Sequence, residues 1–205
     1  MEKWPSGLED ALTHVPLLAR VPRGVAGRTV ETMVEAYDVM ATCLDLAGIT
    51  ARHTHFARSF LPQLQGAAPD ADRAAFAEAG YNVYEPQCFE PPMQSLLYGR
   101  KAALQNDRPE TISRAAMIRT QTAKLILRPQ SQSELYDLSA DPRELRNLWG
   151  EAGAAGLQQS LQLRLLEWFV NTTGVAPRDR DQRGSPQFYP PVSMPATDLA
   201  AILDR

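Results

Sequence analysis

The chain of 205 residues holds three histidines and two cysteines, and these with its carboxylates are the side chains best able to do chemistry. His53 and His55 lack the i, i+4 spacing of a helical zinc pair and have no carboxylate close by in sequence. On a strand their rings would share a face and could take a metal; in a loop they are simply solvated. His14 stands just before an apolar run, as the rim of a site or as a polar group opening a strand. Cys43 and Cys88 fit no metal spacing and are too few for a disulfide framework. Two buried thiols are the ordinary reading, and one disulfide stays open because sequence gives no distance between them. No serine occupies a Gly-x-Ser-x-Gly elbow, and neither a phosphate loop nor a dinucleotide fingerprint is present. Glu9-Asp10 and Asp70/Asp72 lie in polar surroundings and read as solvated carboxylates. A self-sufficient active site is not expected from these residues.

Composition narrows the classes further. The net charge of −3 comes without any basic run, which argues against a nucleic-acid or anionic-membrane footprint. The apolar runs are far shorter than the roughly 18 residues of a spanning helix. With 44% apolar and 22% charged residues the chain reads as soluble, with one domain and a core, or one domain and a small annex. The 16 prolines exceed the usual share of about 5% and gather at Pro86–Pro92 and Pro186–Pro195, where loops are expected. Met1-Glu2-Lys3-Trp4-Pro5 has no apolar leader, so no signal peptide is expected.

The elements that must position these residues follow from pattern. Val15–Val21 is a short apolar run ended by Pro22 and Gly24, suited to a buried strand with Pro16 at its start or edge. Asp38–Ala47 predicts a helix capped by Asp38 and ended by Gly48, with Val39, Cys43, Leu44 and Ala47 on one face. Ser59–Leu64 predicts one or two helical turns, and Ala75–Ala79 a weak strand closed by Gly80. Tyr81–Arg114 is long and irregular, yet its aromatic residues argue against disorder. Ala115–Thr120, Lys124–Arg128 and Glu134–Leu138 predict three strands, with connections short enough for an antiparallel meander. Asp141-Pro142-Arg143-Glu144 carries the cap, first-turn proline and capping-box glutamate of a helix start. Leu157, Leu161, Leu165, Trp168 and Phe169 form the apolar stripe of a helix over Gly156–Thr173, expected to cover the sheet. Thr197–Asp204 reads as a last short helix.

Several of these stretches together resemble the sulfatase family of the alkaline phosphatase superfamily. Glu134-Leu135-Tyr136-Asp137-Leu138 followed by Asp141-Pro142, Glu144 and Asn147 is similar to that family's C-terminal "ELYDL" strand and "DP-x-E-x-x-N". Met117, Arg119, Thr120, Lys124 and Leu125 resemble "M-x-R-T…Y-K-L", with Ala123 in place of the aromatic. Val15-Pro16-Leu17-Leu18 is similar to "RVPLI". Asp38, Thr42, Leu44, Asp45, Leu46, Ala47 and Gly48 match "D-x-x-P-T-L-L-D-L-A-G", and Arg58–Pro62 resembles "GRSLLP" with Ala57 replacing the glycine. The matches run in order from about residue 3 to 170.

The resemblance implies an α/β fold: the end of a large α/β domain over 1–66, a loop-rich connection near the substrate cleft over 67–114, a small α+β domain of antiparallel sheet and helix over 115–174, and an extended tail over 175–205. It implies hydrolysis of sulfate esters by a formylglycine made in a Cys-x-Pro-x-Arg motif, with calcium held by acidic and amide ligands. Neither cysteine sits in such a motif, and the Asp-Asp and Asp-His or Asp-Asn pairs are missing. The family places all of these upstream, so the chain is expected to hold no metal, to be inactive alone, and to meet a sulfate ester only alongside the missing N-terminal half. Lys3, 13 positions before Pro16, is implied as a contact to the sulfate oxygens, where an ammonium would stabilise charge developing in the transition state. His14 is implied at the pocket rim. A non-catalytic structural or interaction module, or a piece of a phosphate or phosphonate ester hydrolase, are the alternatives.

Overall fold

The computed structural model describes residues 7–51, 54–86, 89 and 99–173. Its centre is a four-stranded antiparallel sheet of β1 (Ala75–Ala79), β2 (Ala115–Arg119), β3 (Ala123–Leu127) and β4 (Glu134–Asp137), in that order. The expected three-strand meander is present, and the weak Ala75–Ala79 prediction supplies its fourth strand. Register is set by pairs such as Phe76↔Ile118, Ile118↔Leu125 and Leu125↔Leu135. Gly80 ends β1 in the left-handed region, at φ 83°. A Cβ there would collide with the carbonyl of Ser113, so only glycine lets Tyr81 N–H reach Ile112 O at 2.7 Å.

Successive side chains on a strand point to opposite faces, and here both faces are covered. On one face Ala116, Ile118, Ala123, Leu125 and Leu135 pack against Leu161 and Leu165 of the long helix Ala155–Thr172. Leu157, Trp168 and Phe169 join the same cluster, and Trp168 stacks on Phe76 with ring centroids 4.9 Å apart. The predicted stripe therefore covers the sheet as expected. The opposite face carries Ala115, Met117 and Ile126, and Leu8 of the N-terminal segment closes over them. That segment continues into a single helical turn, α1 (Asp10–Thr13).

Two further helices precede the sheet, α2 (Asp38–Ala47) and α3 (Leu61–Leu64). Gly48 ends α2 at φ 65°, and its N–H returns to Asp45 O, as the sequence predicted. The packed face differs from the predicted one. Asp38, Ala41 and Thr42 are buried, while Val39 and Cys43 are exposed. Small residues on the buried side let the Arg58–Phe60 backbone approach, and Thr42 Oγ1 accepts Phe60 N–H at 3.1 Å. Cys43 is thus a free, exposed thiol instead of a buried one.

Three other expectations are corrected. Val15–Val21 is no strand: it runs as coil with Leu17 50% and Leu18 96% exposed, because no strand among the described residues reaches it. A helix, α4 (Gly99–Asp107), and a 3₁₀ turn at Pro109–Ile112 occupy part of the stretch read as irregular. Asp141–Asn147 forms turns in place of a helix, since Glu144 sits at φ 56° and breaks the helical path. Asp141 still gathers orphan N–H groups: its Oδ2 accepts from Leu145 at 2.7 Å and Arg146 at 2.8 Å. The long helix, α5, spans the Ala155–Thr172 range given above. Thr197–Asp204 and Cys88 lie outside the described residues.

Candidate functional site

The meander sets Arg119 on β2 directly opposite Lys124 on β3, two cations side by side on the face away from α5. Like charges so placed repel, and Lys124 is fully buried, so carboxylate partners are required. Asp10, at the start of α1, provides one. Its Oδ1 accepts from Lys124 Nζ at 2.8 Å and its Oδ2 from Arg119 Nη2 at 3.0 Å. Glu144 provides the other. Its Oε1 accepts from Lys124 Nζ at 2.7 Å, while its Oε2 accepts the Asp10 backbone N–H at 2.9 Å. Burial disfavours the charged form of Asp10, but the hydrogen bonds and attraction from Arg119 and Lys124 outweigh it and hold the carboxyl below its ordinary range. Asp10 is therefore not the solvated carboxylate its sequence context suggested.

A second buried pair ties the α2 region to the sheet. Asp38 Oδ2 accepts from Arg73 Nη2 at 2.7 Å and from Glu35 N–H at 2.9 Å, and Oδ1 accepts Arg58 N–H at 2.7 Å. Arg73 also donates to the carbonyls of Arg58 and Ser59. Asp38 opens α2 as predicted, but its carboxylate serves this network instead of capping the helix, whose N-cap residue is Tyr37. Glu35 Oε1 accepts the Phe76 N–H of β1 at 2.8 Å, and Tyr37 OH donates to Oε2 at 2.6 Å. Burial raises the Glu35 carboxyl above its usual range despite those two hydrogen bonds. Asn147 anchors the far edge: its Oδ1 accepts Leu135 N–H at 3.0 Å and its Nδ2 donates to Ser133 O at 3.0 Å.

The matched motif residues Asp38, Arg119, Lys124, Glu144 and Asn147 thus hold segments together. His14 is exposed at the end of α1, with Nδ1 3.9 Å from Asp10 Oδ2, too far for a hydrogen bond. Lys3 and His53 lie outside the described residues. Two concavities flank the sheet. One of about 410 Å³ lies between Glu78, Arg114, Leu127 and Phe169. The other, of about 480 Å³, lies on the Leu8 side among Glu9, Glu110, Arg128, Glu134 and Tyr136. His14 lines neither. Among the described residues no three His, Cys, Asp or Glu side chains converge to hold a metal. Asp10 and Asp38 are already engaged by cations. No helix among them is long and apolar enough to cross a membrane.

Over 159 residues, 75% of its length, the chain is 31% identical to an N-acetylglucosamine-6-O-sulfatase of Bacteroides thetaiotaomicron. This stretch of the chain is homologous to part of a sulfatase. No family model matches it. Among solved structures, the phosphonate monoester hydrolase of Silicibacter pomeroyi superposes on 89% of the chain with a TM-score of 0.61 at 23% identity. That of Agrobacterium radiobacter superposes on 76% with a TM-score of 0.53 at 24% identity. These two likenesses establish the fold. The chain spans only about a quarter of the sulfatase's length, 24%, and 36% and 31% of the two hydrolases. The buried cations escaped the sequence reading, which gave a meander without the register that sets Arg119 opposite Lys124. Two facing cations are a legible demand for acidic partners; which carboxylates answer it was not legible.

Proposed function

We propose that this chain is the scaffold and pocket wall of a sulfuric ester hydrolase and does not hydrolyse sulfate esters alone. The observation that carries the reading is the pairing of a 31% identical sulfatase relative with the absence of any Cys-x-Pro-x-Arg motif in the sequence. The attacking nucleophile and the calcium ligands belong to residues beyond those matched here. Lys3 then contributes an ammonium to the sulfate oxygens, and His14 stands at the rim of the pocket. The substrate class is a sulfate ester, and the relative's name makes a 6-O-sulfated amino sugar the first one to try. The test is incubation of the purified chain with an aryl sulfate and calcium. No release of phenol above the buffer rate is expected, and turnover that survives repurification would refute the reading.

A second reading is favoured by one feature of the surface. Val15, Leu17 and Leu18 are at least half exposed in a segment without a strand partner among the described residues. Such an edge invites pairing with another strand. In this reading the chain is an interaction module whose occupant is the strand edge of a larger sheet, and chemistry is not its role. Aggregation that falls on Leu18→Lys substitution supports it; a chain that stays monomeric at high concentration in both forms opposes it.

A further inference from the structure

We propose that Glu144 is a positioning residue that holds α1, and with it His14, against the sheet from the far side of the sequence. The four-residue α1 has no side chain of its own N-terminal region capping it. Its first amide, Asp10 N–H, is satisfied instead by Glu144 Oε2, 134 residues away. The same carboxylate receives Lys124 Nζ through its other oxygen, so one side chain ties α1 to β3. The backbone at Glu144 supports this assignment. Its φ of 56° lies in the left-handed region that side chains other than glycine, asparagine and aspartate seldom adopt. A glycine would suit the turn better, yet a glutamate stands there, with its carboxylate nearly buried and aimed at two donors. Strain of this kind persists where the surrounding contacts over-determine it.

The consequence concerns the segment the proposed function makes a pocket wall. Leu8 anchors it by apolar contact, Asp10 by charge, and Glu144 by fixing the direction in which α1 leaves the sheet. The importance of that direction for a substrate rests on the sulfate-ester reading; the positioning itself does not.

Backbone amide exchange by NMR on the full chain tests the assignment. Glu144→Gly removes the carboxylate and also relieves the positive φ, which offsets part of the lost contacts. Exchange at Asp10, Thr13 and His14 is expected to rise about tenfold or more beyond the rise, common to the whole fold, seen at Ile118 and Leu125. Glu144→Gln keeps an oxygen for the Asp10 N–H and is expected to restore most of the protection at Asp10. Wild-type exchange at α1 in Glu144→Gly would overturn the proposal, as would a rise spread equally over β2 and β3, or a Gln variant no better than Gly. None of these readouts involves turnover, so failure of the sulfate-ester reading would leave them unmoved.

Discussion

Replacing Lys124 by methionine keeps most of the side chain's volume and removes its charge. In the native protein the ammonium makes two charge-assisted hydrogen bonds, at 2.8 Å to Asp10 and 2.7 Å to Glu144, with no exposure to water. Each such bond contributes about 1.5–3 kcal/mol, and breaking a buried pair from one side costs about 3–5 kcal/mol. Two contacts survive the change and temper that figure. Asp10 keeps Arg119, and Glu144 keeps the Asp10 N–H. The arginine also loses a cationic neighbour across the strand pair, a small relief. The expected cost is therefore about 2–4 kcal/mol. Urea unfolding followed by tryptophan fluorescence and circular dichroism measures it. With a slope of roughly 2 kcal/mol per molar, the midpoint should fall by about 1–2 M at unchanged slope. A loss under about 0.5 kcal/mol would refute the claim that the quartet is a working clamp, placing Lys124 among ion pairs whose desolvation cancels their attraction.

Acid titration gives a second test. The Asp10 carboxyl is held low in the folded state, so its contribution is present above the unfolded aspartate value and is lost as pH falls through the lower folded value. Wild-type stability should therefore drop below about pH 4, and the Asp10→Asn variant should lose that part of the drop in pH-dependent urea melts. Asp38→Ala should destabilise by about 3–5 kcal/mol because it strands the buried Arg73 guanidinium; thermal melts check it, and proteolysis should then cut first between residues 34 and 60. Leu125→Ala, at the centre of the main core, should cost about 2–5 kcal/mol with the slope of urea unfolding unchanged. Cys43 is free and exposed, so its thiol should react with a maleimide in the native protein without denaturant, and mass mapping should find a label there.

Local patterning carried much of the small domain. The apolar runs read as strands at Ala115–Thr120 and Lys124–Arg128, the short turn between them and the stripe from Leu157 to Phe169 each satisfy their own physical demand. They therefore appear in the structure where the sequence placed them. The same local logic failed at Asp141–Asn147. A helix start was written there in caps and proline, but the demand of Lys124 for a carboxylate, together with the turn back toward α1, took Glu144 out of the helical path. It failed again at Val15–Val21, where a strand needs a neighbour that no local signal can supply.

The sequence by itself determined the family resemblance, the antiparallel sheet and its covering helix, because motif order and periodicity are properties of short windows. Only the tertiary structure decided that Asp10, Arg119, Lys124 and Glu144 form one cluster and that Asp38 faces Arg73. Those contacts join residues up to 134 positions apart. Burial alone turns such residues from interchangeable surface charges into partners, and burial is settled by which segments meet.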